Sequence, residues 1–159
     1  MQIRPYRRGE ETLLRDIFHS SVHGLASRHY TADQLRAWAP DEYDAALWEQ
    51  RMRANQSWVA EVDGELAAFT DLQPSGYIDM FFVAAPYAGR GIGQALLRHL
   101  FGLAAERRIA VLRSDVSLTA EALFTRHGFT VETRNQVAVR GELLANATMR
   151  KLLLAPYVN

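Results

Sequence analysis

The stretch Tyr77–Leu97, YIDMFFVAAPYAGRGIGQALL, decides the reading of this chain. An apolar strand leads through a turn at Pro86 into a loop with Gly89, Gly91 and Gly93, and then into a helix carrying Leu96 and Leu97. A glycine loop that opens a helix is a natural seat for phosphate. The first N–H groups of the helix have no intrahelical partner, and its dipole places about +0.5 of a charge there. A side chain in such a loop would block the ligand or forbid the backbone angles that aim successive N–H groups inward. Spacing narrows the ligand. A dinucleotide fingerprint G-x-G-x-x-G needs glycine at the sixth position from Gly89, where Gln94 stands, and no Lys follows to make a Walker-type loop.

Upstream of this unit, Ser57–Val62 alternates, with Trp58, Ala60 and Val62 on one face. Asp63-Gly64 is a hairpin signal, Leu66–Leu72 returns as the partner strand, and Pro74-Ser75-Gly76 turns the chain into Tyr77–Val83. Downstream, the helix runs to about Arg107 with Ile92, Leu96, Leu100 and Leu103 inward. Ile109–Val116 follows as a strand parallel to Tyr77–Val83, because a helix crosses between them. Thr119–His127 is a short helix stopped by Gly128, and Phe129–Val139 and Leu143–Lys151 pair across Arg140-Gly141-Glu142.

The amino-terminal third opens with a short strand, Gln2–Tyr6. A helix from Glu10 buries Leu13, Leu14, Ile17, Phe18 and Val22, with Gly24 near its end. Thr31-Ala-Asp-Gln34 is a capping box for a second helix, with Leu35 and Trp38 inward and Pro40 beyond its end. Tyr43–Arg53 is a third helical piece with Ala46, Leu47 and Met52 on its apolar side. The expected fold is α/β (α+β), one domain over residues 1–159. Its central sheet is mixed, mostly antiparallel and of about seven strands, with helices on both faces.

Composition excludes several classes. In 159 residues, 48% apolar and 23% charged content are those of an ordinary globular domain. Eighteen basic and eighteen acidic side chains balance, so nothing points to nucleic acid or an anionic membrane as partner. The absence of cysteine excludes disulfides and thiolate metal sites. The start MQIRPYRRGEE is too polar for a secretory signal, and no apolar run approaches the roughly 20 residues that span a bilayer. The expected location is cytoplasmic. His19 and His23, four apart on a helix, could hold a metal, but no Glu or third His completes the set in sequence, and no metal is expected.

The strand, the proline turn and x-x-x-G-x-G from Ala88, with the order of elements around them, resemble the GNAT superfamily of N-acetyltransferases. Ala120-x-x-Leu123-Phe124-x-x-x-Gly128-Phe129 is similar to the family's A-x-x-L-Y-x-x-x-G-F. The segment SRHYTADQLRAW and Asn146-x-x-Met149-x-Lys151 resemble those of a branch of small bacterial members. The chain departs from the pattern twice. Ala88 stands where Arg or Gln is usual in the loop, and Phe124 stands where the family has a Tyr near the coenzyme sulfur. The resemblance implies acetyl-CoA as co-substrate, seated between the strands Tyr77–Val83 and Ile109–Val116, which splay apart in this family. It implies contacts from backbone of Phe81, Phe82 and Val83, from the loop residues Ala88, Gly89, Arg90, Gly91, Ile92, Gly93 and Gln94, and from Ser117 and Phe124. The implied reaction is acetyl transfer to a primary amine of a small molecule or peptide, by direct attack in a ternary complex. With Ala88 and Phe124 replaced, a coenzyme A-binding sensor or interaction module with little or no turnover is the alternative. Transfer of a bulkier acyl group also stays open, since Phe81 and Phe82 could close or line the acyl pocket.

For the base, Asp79 leads. It sits inside an apolar strand, where an unpaired carboxylate would titrate high, unless an Arg or backbone N–H groups satisfy it. Asp71 on the neighbouring strand could share the cleft, and two acids there would suit a cationic amine. Ser117 and Tyr30 could replace the missing tyrosine as donors, although Ser117 could equally cap the helix that follows. His127, one turn after Phe124, reads as a residue favouring a negative helix end. Acceptor recognition falls to His29, Tyr30 and Trp38, Trp38 by itself being also a core residue. The resemblance adds Arg140 and Asn146, though Arg140 could equally be a turn residue. The acceptor's identity and the oligomeric state, monomer or homodimer, stay open.

Overall fold

The computed structural model describes residues 1–153, in which two four-stranded sheets share a junction. The first sheet is antiparallel throughout. Strands β1 (Gln2–Pro5), β2 (Trp58–Val62), β3 (Glu65–Thr70) and β5 (Phe81–Val83) lie in the order β1-β2-β3-β5. The second has the order β4-β6-β8-β7 and is built from β4 (Tyr77–Ile78), β6 (Val111–Ser117), β7 (Thr130–Val139) and β8 (Glu142–Leu152). Among the described residues only the β4–β6 pair is parallel, which is the pairing the crossover helix demands.

The two sheets part inside the stretch expected to be one strand. At Asp79-Met80 the chain leaves β4 and enters β5, so seven strands become eight. Hydrogen bonding explains the break. The buried Asp71 carboxylate accepts from the N–H of Asp79 and of Met80, each at 2.8 Å. Thr70 Oγ1 donates to the Met80 carbonyl at 2.7 Å, and Ser114 Oγ donates to the Ile78 carbonyl at 2.9 Å. These backbone groups are therefore satisfied by side chains, and no strand partner is needed on either side of the kink.

Helices cover both faces. Helix α1 (Glu11–Leu25) sets Leu14, Ile17, Phe18 and Val22 against Phe69 of β3. On the other face α4 (Ile92–Glu106) sets Ile92 and Leu96 against Ala60, Ala67 and Ala68. The far end of α4 continues under the second sheet, where Leu97, Leu100 and Ala104 join Ile78, Leu112, Met149 and Phe124 of α5 (Glu121–Arg126). Burying each such large apolar side chain contributes roughly 1.5–3 kcal/mol. Three positions expected on apolar faces differ, Ala46 being exposed like the two that follow. Leu13 is 50% exposed because the buried stripe runs through its neighbours Leu14, Ile17 and Phe18, and Leu47 is 61% exposed at the rim of a cleft.

The helices α2 (Ala32–Trp38) and α3 (Ala45–Asn55) form a roof over the junction. Thr31 and Gln34 make the reciprocal capping box that the sequence predicts. Asp44 caps α3 by accepting from Ala46 and Leu47 N–H, and the α3 residue Trp48 donates its indole N–H to the Glu11 carbonyl at 2.7 Å.

Candidate active site

Two clefts open on opposite sides of the junction and meet at Trp38, Phe82 and Ser117, which line both. The first, about 360 Å³, runs along the glycine loop, β5 and the groove-facing residues Ala120 and Leu123. Gly91 is the N-cap of α4 at φ +77°, with no side-chain cap, and the first helical bond is donated by Ala95 to Gly91. The N–H groups of Ile92, Gly93 and Gln94 thus have no partner within the helix. Gly89 and Gly91 both have positive φ, and a Cβ on either would meet nothing within 4 Å, so it is backbone angle that requires glycine. Gly93 answers a different need. A Cβ there would stand 2.8 Å from Leu123 Cδ2, so this glycine lets α4 approach α5. Arg90 is exposed, its guanidinium carbon 5.3 Å from the centre of the Tyr87 ring.

Among the described residues strand β5 pairs only with β3. Ala84 donates back to Ala67 of β3 at 2.9 Å, and alternation along a strand then turns the N–H groups of Val83 and Phe81 towards the gap between the sheets. The free edge of β5 therefore offers backbone donors and acceptors along the first cleft.

Phe124 corrects an expectation. It is 1% exposed, packed in the core between Phe81 and Phe129 with ring centres 5.1 and 4.9 Å away, and Leu123 takes its place on the groove. Ser117 lies at the mouth of both clefts. Its hydroxyl accepts from Ala120 N–H at 3.1 Å, so it also terminates the following turn. His127 Nδ1 is 2.9 Å from the Leu123 carbonyl, within its own helix end.

The second cleft, about 440 Å³, has aromatic walls from Phe18, Trp38, Tyr43, Trp48 and Phe82 and a polar floor from β6 and β8. Asp79 lines it, but not as an unpaired carboxylate. Arg51 holds it with two hydrogen bonds of 2.9 and 3.0 Å, and Asn55 adds a third at 2.8 Å. Burial pushes the Asp79 carboxyl up, and Arg51 with Asn55 more than offsets this, so it titrates below the ordinary carboxylate range. The rise expected for an isolated acid in an apolar strand does not occur. Asp71 is the carboxyl that rises, to about 6, because burial outweighs the N–H groups and the Gln73 amide that it accepts. It is fully buried and does not line the cleft.

Tyr30 is 7% exposed and its hydroxyl is fully engaged. It donates to the Ala145 carbonyl at 2.5 Å and accepts from Leu118 N–H at 3.0 Å. Since Ser117 pairs with Asn146, the hydroxyl stands where the next rung between β6 and β8 would form. His29 stays outside the second cleft; its Nδ1 is 3.0 Å from Thr119 Oγ1, at the rim of the first. Trp38 is half-buried against Tyr30, Phe18 and Phe82 and lines both clefts. Arg140 and Asn146 line the second cleft. Arg140 is a turn residue at φ +43° whose guanidinium reaches the Ala37 carbonyl at 2.7 Å, and Asn146 accepts from Asn135 at 3.0 Å.

Several cleft residues escape a linear reading. Arg15 and Arg51 come from helices far from their partners in sequence, as does Asn55 behind Asp79, and no local pattern marks them. Asp115 was within reach of one, because strand alternation puts it on the face of Ser117. It accepts from Tyr77 Oη at 3.1 Å and Thr148 Oγ1 at 2.6 Å. Asp41 supplies what the His19–His23 pair lacked. Ligand-capable atoms of the three lie within 4.8 Å of one another, with His19 Nε2 2.7 Å from Asp41 and His23 Nε2 2.7 Å from the Ala39 carbonyl.

A splayed mixed sheet, a strand with one free edge and a helix N-terminus aimed along it make up an acetyltransferase framework, and the chain belongs to the GNAT acetyltransferase family. The family model described as an acetyltransferase (GNAT) domain matches residues 26–152. The chain is 35% identical over 150 residues to the uncharacterised N-acetyltransferase YafP of Escherichia coli (strain K12), covering 94% of this chain and 95% of that one. A GCN5-related N-acetyltransferase structure from Rhodopseudomonas palustris, also called "Aminotransferase, Class-II", superposes with a TM-score of 0.91 at 33% identity, over 96% of this chain and 95% of that one. The PaiA N-acetyltransferase of Thermoplasma acidophilum, solved in complex with coenzyme A, shares the fold with a TM-score of 0.73 at 17% identity, over 96% and 98% of the two chains. No helix among the described residues is long and apolar enough to cross a membrane.

Proposed function

We propose that the chain transfers an acetyl group from acetyl-CoA to the primary amine of a small molecule, both substrates meeting within one domain. The observation that carries this reading is the meeting of two clefts at Ser117 and Phe82, beside the free edge of β5. The loop Ala88–Gln94 would take the pyrophosphate. The unpartnered N–H groups at the start of α4 suit an anion, and the coenzyme A complex of the Thermoplasma relative supports the same ligand. The edge of Phe81–Val83 would hold the pantetheine arm and the thioester carbonyl.

The amine lone pair attacks the thioester carbon, and the carbonyl oxygen takes up the displaced electron pair. Backbone N–H groups of β5 are the donors for that oxyanion, the kind of preorganised dipole that usually contributes most to such catalysis. Holding the two substrates in line supplies much of the remainder. The intermediate collapses by breaking the C–S bond. Phe124 offers no phenol, and none is required: a thiol of pKa about 8.5 leaves readily as thiolate. The amine proton passes to water or to Asp79, whose ionised carboxylate in the second cleft also attracts the incoming ammonium.

Acetyl-CoA at 100 times its Kd should stabilise the fold by about 2.7 kcal/mol, a clear melting shift. Sustained release of coenzyme A thiol with an amine panel, above hydrolytic background, distinguishes an enzyme from a sensor. No melting shift at millimolar acetyl-CoA or coenzyme A removes the proposal.

A further inference from the structure

The second cleft is lined by two guanidiniums that form no ion pair among the described residues. Arg15 is 6% exposed, yet among the described residues it forms no ion pair; its guanidinium donates to the Pro40 carbonyl and lies 4.3 Å from the centre of the Tyr43 ring and 5.0 Å from that of Phe18. Arg140, from the β7–β8 turn, donates to the Ala37 carbonyl and likewise has no ion pair. Both guanidiniums lean on one turn, residues 37–40, and so converge at one end of the cleft. Burial lowers the pKa of Arg15 and repulsion from Arg140 adds to that effect, while Tyr43, Asp16 and Asp41, none of them ion-paired with it, only partly oppose it. Arg15 is buried whereas Arg140 is exposed, so the cost of lacking an ion pair falls on Arg15. The acids of the cleft do not relieve it. Asp44 caps α3, Asp79 is held by Arg51, and Asp115 is bound to Tyr77 and Thr148 on the β6 floor beside Ser117.

We infer that the acceptor is an amino carboxylate: a small molecule whose amine is drawn towards Asp115, Asp79 and Ser117 and whose carboxylate is held by Arg15 and Arg140. The aromatic walls between the two ends suit an apolar or aromatic body. A cleft of about 440 Å³ is of the size that takes a small molecule. The guanidinium fork is the donor geometry that matches a carboxylate, and the positive end would reject plain amines and polyamines, which bring no anion to it. This inference rests on the acetyltransferase reading above and assigns its acceptor.

The test compares coenzyme A thiol release with aromatic and branched-chain amino acids, their carboxamides, their decarboxylated amines and their aminophosphonate analogues. Binding of each to the coenzyme A-saturated protein is read in parallel as a melting shift. The expected result is a kcat/KM for acids at least about tenfold above that for the matching amides and amines, the loss typical of removing a charged hydrogen-bond partner. Arg140→Ala should bring acid and amide to near equality while the melting shift with acetyl-CoA stays unchanged. Amides or simple amines used as well as the acids would overturn the inference, as would the absence of both turnover and binding for every acid. A preference for the phosphonates would overturn the carboxylate assignment. In each of these cases a retained acetyl-CoA shift leaves the acetyltransferase reading standing, whereas loss of that shift in the unaltered protein would strike the reading itself.

Discussion

Replacing Tyr30 by Phe separates a structural hydroxyl from a catalytic one. The ring would stay, packed on Trp38 with centres 5.4 Å apart, and only the oxygen would go. Its removal leaves the Leu118 N–H and the Ala145 carbonyl facing a gap between β6 and β8 without their partner. Leaving a buried polar group unsatisfied costs about 1–3 kcal/mol, so the two together should cost about 2–4 kcal/mol once partial relaxation is allowed. For a chain of this size that is a fall in Tm of about 4–16 °C. Burial raises the phenol pKa above its ordinary value, so the hydroxyl remains protonated at neutral pH and the comparison is free of titration. Urea unfolding at pH 7 measures the loss, and kcat at 25 °C, well below the midpoint, measures any chemical role. A structural hydroxyl predicts kcat within about threefold of the unaltered protein, since about 0.7 kcal/mol or less would then fall on the barrier. A Tyr30→Phe protein of unchanged stability with kcat reduced about a hundredfold would refute this reasoning and make the phenol the acid at the thiolate.

Other perturbations address the rest of the site. Arg51→Met removes the main partner of Asp79, so the Asp79 pKa should rise and any acid limb of kcat/KM that it governs should move to higher pH; an unmoved limb excludes Asp79 as base. Gly91→Ala should lower stability by about 1 kcal/mol, the left-handed strain less the entropy removed from the unfolded chain, and should weaken acetyl-CoA binding; an unchanged Kd by calorimetry removes the loop from the phosphate site. Asp71→Asn tests the sign of a buried carboxyl. Its folded pKa of about 6 lies above the ordinary 3.8 of an aspartate, so the folded state holds the proton more tightly between those values and stability falls as pH rises through that window. The shift of about two units corresponds to about 3 kcal/mol. Relative to Asp71→Asn, the unaltered protein should therefore lose about that much between pH 4 and pH 6.5 in urea titrations; parallel curves would contradict the raised pKa.

Local patterns carried much of the fold. The capping box at Thr31, the turn at Asp63-Gly64 and the stop at Gly128 each act through a few neighbouring backbone groups, and the structure has all three. The crossover through α4 makes β4 and β6 parallel, a consequence of chain order alone. The kink at Asp79-Met80 was illegible because its cause, Asp71, is eight residues upstream and acts through a buried carboxylate. Reading Asp79 as unpaired failed for the same kind of reason, since Arg51 comes from a helix 28 residues earlier. Gly93 was grouped with two loop glycines by spacing, yet its φ is not left-handed and a Cβ there would instead press on Leu123 Cδ2.

By itself the sequence determined the order of elements, the helix start after a glycine loop and the family pattern, because periodicity, caps and turns are short-range and survive without a partner. Tertiary structure alone decided which side chains face one another. It put Tyr30 between two strands, drew Phe124 into the core, and brought Arg15 and Arg140 onto one turn from positions 125 residues apart. Electrostatics and hydrogen bonding depend on distances of a few ångströms through space, and those distances exist only once the core has closed.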